Sequence, residues 1–210
     1  MFRCRRHSDT RSQFLLALAR AVARAPRDPA APPFLEIGTR SGGSALLTLR
    51  VLADVYRHAP HRPLVLTVDP YGARPYEGAP FTYDDRHYVA MKRALARYPN
   101  HIHYMMDSTL FLAELDRLYL WIGGRRQPLE RFTLAYLDGS HDPDVVWHEI
   151  EALVPRIVPG GSLVVDDTDW FGGEVRRRLD RAALAGGLRV RHHGKQSVVE
   201  ASGPRAPNGV

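Results

Sequence analysis

Residues 132–170, FTLAYLDGSHDPDVVWHEIEALVPRIVPGGSLVVDDTDW, read as strand, acidic tip, helix, Pro-Gly-Gly turn, strand and second acidic tip. FTLAYL and SLVVDD are short apolar runs rich in β-branched and aromatic residues, the composition of buried strands. Between them Val146, Ile150, Leu153 and Ile157 fall at helical spacing, with Asp142 suited to the N-cap and Pro143 to the first helical position. The stretch is therefore one βαβ crossover, whose right hand sets parallel strands side by side with both acidic tips on one carboxyl edge. Open α/β sheets bind their ligands at that edge.

Asp138 ends the first strand and Asp166-Asp167 end the second, which brings the carboxylates together at the mouth of the sheet. Such a cluster suits a hard divalent cation such as Mg²⁺, which takes a few carboxylate oxygens and keeps water positions open for a substrate. His141, on the loop before the helix, can reach a substrate oxygen held there, and imidazole titrates where a general base must. Taken singly, acids at strand ends also serve as caps, and a loop histidine also sits comfortably in solvent. The combination of DGSH and DD on adjacent tips favours the chemical reading.

Towards the N-terminus, RDPAAPP (27–33) is a stiff connector into the strand FLEIG, followed by TRSGGS and the helix SALLTLRVLADVYRHA with Leu46, Leu49, Ala53 and Tyr56 as its apolar stripe. Strand, glycine turn and helix make a cradle of free backbone N–H groups for a phosphate or carboxylate. Its spacing, Gly38-x-x-x-Gly42-Gly43, is not the G-x-G-x-x-G of a dinucleotide fold. PLVLTVD ends in Asp69, a carboxylate placed either for ribose hydroxyls or for the turn before Pro70. Pro70 to Asp85 is too rich in Pro, Gly and rings for a helix or strand, and Tyr71, Tyr76, Phe81 and Tyr83 could wall an acceptor pocket. A helix over Arg86–Tyr98, with His87, Met91 and Leu95 on one face, precedes the strand NHIHYMM and its tip Asp107-Ser108, within reach of an adenine. His101 and His103 read as outward strand residues, TLFLAELDRLYLWI as helix and GGRRQPLER as a polar loop. Beyond Trp170, EVRRRLDRAALAG reads as helix, and LRVRHH and SVVEA form a hairpin about His193–Gln196.

The chain of 210 residues suits one α/β domain, organised as a basic tail, helix and connector (1–32), a main domain (33–201) and a disordered tail (202–210). Its +6 charge comes from 29 basic and 23 acidic residues, the arginines scattered without interleaved aromatics, which reads as solvated surface rather than a nucleic-acid face. No apolar run approaches the ~20 residues of a membrane span. A single cysteine, Cys4, excludes an internal disulfide and a cysteine zinc site and fits a reducing, cytoplasmic setting. The Arg-rich start is compositionally open to a transit peptide; the preferred reading is an amphipathic helix from about Thr10 to Ala25 with Phe14, Leu15, Leu18 and Val22 on one face.

From Phe34 to Ala201 the chain resembles the class I S-adenosylmethionine-dependent methyltransferases, and among them the metal-dependent O-methyltransferases of catechol and, more closely, macrolide-sugar (macrocin) type. Glu36-Ile37-Gly38-Thr39-Arg40-Ser41-Gly42-Gly43-Ser44 matches their first motif, E-x-G-x-x-x-G-x-S. The resemblance implies a Rossmann-like α/β fold: a doubly wound, mostly parallel seven-stranded sheet with a C-terminal antiparallel hairpin and helices on both faces. It implies that Glu36, Gly38, Thr39, Gly42 and Ser44 hold the methionine end of S-adenosylmethionine, Asp69 the ribose, and Asp107 and Ser108 the adenine side, with Asp138 beside the cofactor. It further implies Mg²⁺ on Asp138, Asp166 and Asp167, and His141 as base where the catechol type has lysine, pointing to a sugar-like or aliphatic hydroxyl. The expected partner is a small hydroxylated acceptor, without nucleic acid or membrane, and a homo-oligomer is compatible. The single short N-terminal helix and the 70–85 loop depart from the family and leave the acceptor open. Two other readings stand beside it: a non-catalytic nucleoside-binding or scaffold protein on the same fold, and an NAD(P)-dependent oxidoreductase, which the missing G-x-G-x-x-G disfavours.

Overall fold

The computed structural model describes residues 10–25, 31–72, 74–75, 82–83, 85–122, 124–186 and 188–201. In chain order the elements are α1 (Thr10–Arg24), β1 (Phe34–Ile37), α2 (Gly43–Val55), β2 (Val65–Val68), β3 (Arg74–Pro75), β4 (Thr82–Tyr83), α3 (Asp85–Leu95), β5 (His101–Tyr104), α4 (Ser108–Glu114), β6 (Tyr119–Ile122), β7 (Arg125–Pro128), β8 (Phe132–Leu137), α5 (Pro143–Leu153), β9 (Ile157–Val165), α6 (Glu174–Leu184), β10 (Leu188–His193) and β11 (Gln196–Ala201).

β1, β2 and β8 are buried along their whole length, which is why they read as unbroken apolar runs: helices cover both faces of the sheet. Alternation along each strand still divides the side chains. Leu35, Ile37, Ala135 and Leu137 enter one core with Phe111, Ile150 and Leu179 of α4, α5 and α6. Phe34, Leu134 and Tyr136 enter the other with Leu18, Leu49 and Met91 of α1, α2 and α3. The seven strands run in the order β10-β11-β9-β8-β1-β2-β5. Those from β5 to β9 are parallel, and the β10–β11 hairpin closes the sheet antiparallel to β9, as expected. Strand order reverses between β1 and β8, so the ligand crevice belongs above their carboxyl ends.

The β8–α5–β9 crossover forms as read. Asp142 caps α5 by accepting from the backbone N–H of Asp144 at 2.8 Å and of Val145 at 3.2 Å, and Val146, Ile150 and Leu153 are buried. Ile157 is not part of the helical stripe: it opens β9. The expected Pro-Gly-Gly turn is instead carried inside β9 as a register shift against β8. A side chain at Gly161 would come within 2.6 Å of the Thr133 carbonyl oxygen, so the strands approach there only because that position is glycine.

Other expectations need correction. TLFLAELDRLYLWI is helical only to Glu114, with a 3₁₀ turn to Arg117, and then becomes β6, paired with β7 where a polar loop was expected. The period changes there: Phe111, Leu112 and Leu115 are buried at helical spacing, whereas Tyr119 and Trp121 point outward on either side of buried Leu120. The Arg126 guanidinium lies 3.5 Å over the Tyr119 ring and braces the hairpin. Within 70–85, Arg74 pairs with Tyr83 and Pro75 with Thr82 in a two-residue ladder, so the segment is not wholly irregular; Tyr76 and Phe81 lie outside the described residues. On α1, Leu15 is exposed and Ala17 and Ala21 are buried in its place, small residues that let the helix lie close against β8 and β9. Tyr56 ties it down by donating from its hydroxyl to the Val22 and Ala25 carbonyls at 3.3 and 3.1 Å. On α2 the buried stripe is Ala45, Thr48, Leu49 and Leu52, while Leu46 and Ala53 are half-exposed. His101 and His103 are half-buried rather than outward, both hydrogen-bonded to the Thr67 hydroxyl at 2.9 Å. Burial is the first cause that lowers both imidazoles, His101 to about 4. The expected tails at 1–9 and 202–210 lie outside the described residues.

Candidate active site

The β1–α2 loop carries two glycines in the left-handed region, Gly38 with φ of 87° and Gly42 with φ of 80°. At Gly38 the requirement is twofold, because a Cβ would also meet the Asp138 carbonyl oxygen at 2.2 Å. The tip of β1 therefore lies directly against the tip of β8. Glu36 points inward, fully buried and hydrogen-bonded to Ser44, and its Oε1 has no hydrogen-bond partner. Burial, with the negative Asp138 and Asp69 adding to it, pushes this carboxyl up to about 8. The folded chain thus keeps a proton that the unfolded chain releases near 4.5. Stability should fall as pH rises from about 4.5 to about 8 and level off above, and Glu36→Gln should flatten that decline in denaturant midpoints measured across the range. A variant with an unchanged pH profile would remove Glu36 as the cause.

Asp69, at the end of β2, is buried and held by the backbone N–H of Arg40 at 2.8 Å and of Tyr71 at 3.2 Å. Both donors have positive φ, 46° and 47°, and the Tyr71 hydroxyl donates to the Arg40 carbonyl at 2.5 Å, so the two loops interlock around the carboxylate. Asp107 caps α4, accepting from the Thr109 N–H at 3.0 Å and hydroxyl at 2.7 Å, while Ser108 begins the helix.

Above the β8 and β9 tips, ligand oxygens of Asp138, Asp166 and Asp167 all lie within 4.8 Å of one another. Tyr136 donates its hydroxyl to Asp138 at 3.2 Å and Asp166 at 2.9 Å, bridging the two strands. His141 Nε2 lies 3.2 Å from Asp167 Oδ2, and its ring stacks on Trp170 with centroids 4.2 Å apart. The Lys195 ammonium reaches Asp167 at 2.7 Å and Asp166 at 3.2 Å from the β10–β11 turn. Asp138 opens to the cleft on one side and is packed by protein on the others. That packing, followed by repulsion from Asp166 and Asp167, raises its carboxyl to about 7, with Lys195 and Tyr136 opposing. Cleft water tempers the burial contribution; the repulsion stays. Burial works to raise Asp167 too, but hydrogen bonds from His141 and Lys195 override it and hold this carboxyl below its usual range. An ionised Asp167 only accepts, so His141 Nε2 carries the hydrogen between them. Crowded hard oxygens of like charge are the donor set that fits Mg²⁺.

These groups line one cleft of about 1040 Å³. It contains Gly38, Thr39, Ser44, Asp69, Asp107, Ser108, Asp138, His141, Asp166 and Asp167, bringing together every expected site residue except Glu36, which lies beneath the floor, and Gly42, the N-cap position just before α2. Thr39 presents to the cleft a buried hydroxyl without a hydrogen-bond partner, which fits a nucleoside–amino-acid cofactor at this loop. The sequence reading missed Tyr136, Lys195, Trp170 and Phe14. Tyr136 had a signal, since it stands two residues before Asp138 on the same strand face. Phe14 reaches the cleft from α1 and packs on the Tyr136 ring at 4.5 Å. Among the described residues no helix is long and apolar enough to cross a membrane.

Sheet order, crevice and glycine loop together define a Rossmann-like methyltransferase fold. The family described as a methyltransferase domain matches residues 35–168, and the chain belongs to it. It is accordingly a class I S-adenosylmethionine-dependent methyltransferase. Among solved structures the chain is similar to CalS11, a TDP-rhamnose 3'-O-methyltransferase of calicheamicin biosynthesis, with 18% identity and a TM-score of 0.60 over 93% of this chain and 81% of that one. The O-methyltransferase NovP is 14% identical with a TM-score of 0.58, covering 90% of this chain and 77% of its own. MycE, a methyltransferase of mycinamycin biosynthesis solved with Mg, SAH and mycinamycin VI, is 16% identical with a TM-score of 0.50 over 84% of this chain and 47% of that one. At these identities the likeness is one of fold. No curated protein matches the sequence.

Proposed function

We propose that the protein is a divalent-cation-dependent O-methyltransferase that methylates a hydroxyl of a small, sugar-like acceptor. The observation that carries this reading is the meeting of Asp138, Asp166 and Asp167 with the Asp167-paired imidazole of His141 in the cofactor-sized cleft. Oxygen chemistry on sugars in CalS11, and the Mg and SAH bound to MycE, support it.

S-adenosylmethionine supplies an electrophilic methyl on a sulfonium, for which Gly38, Thr39 and Ser44 would hold the methionine end, Asp69 the ribose, and Asp107 and Ser108 the adenine side. A Mg²⁺ ion held by Asp138, Asp166 and Asp167 would supply Lewis acidity that lowers the acceptor hydroxyl's pKa. His141 takes the hydroxyl proton, Asp167 fixes its tautomer, and the Trp170 indole keeps the imidazole plane in place. Tyr136 holds Asp138 and Asp166 at fixed spacing, so alignment is prepared before the acceptor arrives.

The test is calorimetric titration of S-adenosylhomocysteine into the protein, with Mg²⁺ and then with chelator, followed by methyl-transfer assays on nucleotide sugars and glycosides. Micromolar binding and metal-dependent transfer to an oxygen support the reading; binding with metal-independent transfer, or transfer to nitrogen only, refutes it. Asp138→Asn should weaken Mg²⁺ binding by at least about tenfold, since loss of even an outer partner of a metal site costs that much. Equal Mg²⁺ affinity in the variant would take Asp138 out of the ligand set.

A further inference from the structure

Lys195 stands outside the family-matched residues 35–168, yet its ammonium bridges two members of the acidic cluster, Asp166 and Asp167. Its backbone is pinned beside that cluster. The Lys195 carbonyl accepts from the Thr168 N–H at 2.9 Å and from the Thr168 hydroxyl at 3.0 Å, and Arg176 donates to the neighbouring Gly194 carbonyl. Thr168 directly follows Asp167, so the turn is bolted to the strand tip that presents the carboxylates. The side chain has a four-carbon stem and is partly open to the cleft, which lets it leave without disturbing that anchor. Asp166 and Asp167 each give one oxygen to the ammonium, while Asp138 has Tyr136 as its hydrogen-bond donor and Asp167 also faces His141.

We propose that Lys195 is a positioning residue that serves as a resident cation: its ammonium neutralises Asp166 and Asp167 in the metal-free enzyme and is displaced into the cleft when the divalent ion loads. This rests on the divalent site proposed above. Like charges held within 4.8 Å need a counter-charge to stay together, and the lysine keeps the ligand oxygens converged until the ion arrives. Because the two cations compete for the same oxygens, Lys195 sets how tightly metal is held.

The experiment measures Mn²⁺ binding, read from the resonance signal of the free ion, in the wild type, Lys195→Met and Lys195→Arg, without cofactor or acceptor. Mn²⁺ shares the preference of Mg²⁺ for carboxylate oxygen. Lys195→Met should bind it roughly ten- to a hundredfold tighter, the worth of one charge-assisted hydrogen bond, while Lys195→Arg, which keeps the cation, should not gain affinity. In chelator the Met variant should melt below the wild type, with the gap closing at saturating Mn²⁺. Equal or weaker Mn²⁺ binding by Lys195→Met would overturn the displacement role and leave the metal site standing. No binding to any of the proteins would overturn the metal reading as well.

Discussion

His141→Ala is expected to lower kcat by roughly 10²- to 10⁴-fold, the usual contribution of a positioned general base. Cofactor affinity should change little, because the imidazole is held against Asp167 and Trp170 on the acidic side of the cleft. Single-turnover methyl transfer and S-adenosylhomocysteine titration on the same preparation separate the two effects. Wild-type turnover in the variant would end the catalytic role; a parallel collapse of cofactor binding would show that the substitution acts through structure. His141→Gln is the harder test, since it keeps a donor for Asp167 but has no nitrogen able to take a proton at neutral pH.

Among the described glycines, Gly38→Ala should be the most damaging single-methyl change. It forces an L-residue to a φ of 87° and drives a methyl group to within 2.2 Å of the Asp138 carbonyl oxygen. Positive-φ strain of about 1–3 kcal/mol and overpacking of similar size add to roughly 2–6 kcal/mol. For a chain of this length that lowers Tm by on the order of 10 °C. The clash also pushes β1 away from β8 and so moves Asp138 relative to Asp166. The melting temperature and S-adenosylhomocysteine affinity should therefore fall together, and a variant that melts like the wild type would contradict the close approach of the two strand tips.

Much of this site could be read before the structure because local rules and global fold agree there. The β8–α5–β9 unit has apolar runs, an N-cap at Asp142 and acids at the tips, and each signal depends only on neighbours in sequence. Where packing overrode local pattern, the reading failed. Tyr119 to Ile122 continue an apolar helix in composition, but a change of period hidden in a few residues turns them into β6. Asp107, matched to an adenine-side motif, lines the cleft and also caps α4 by accepting from Thr109, two uses that the residue type serves equally well. Lys195 could not have been found: nothing local links a hairpin turn to Asp167, and the link exists only through the register of β11 on β9, where Ser197 pairs with Val165. The same holds for Phe14, whose reach to Tyr136 depends on how α1 crosses the sheet.

The family-matched core spans residues 35–168, and both ends of the chain beyond it contribute to the cleft, Phe14 from the first helix and Lys195 with Gln196 from the last hairpin. Glu36, Asp69 and Asp138 all lie inside the core. Exchange of either terminus between paralogues would therefore re-dress the walls of the cleft while leaving the methyl-donor loop untouched, a modular route by which descent or recombination can retune such an enzyme. The same layout warns against trimming the gene to its recognisable domain. A polypeptide begun at Phe34 would lose Phe14 and uncover the ring of Tyr136, the residue that spaces the acids.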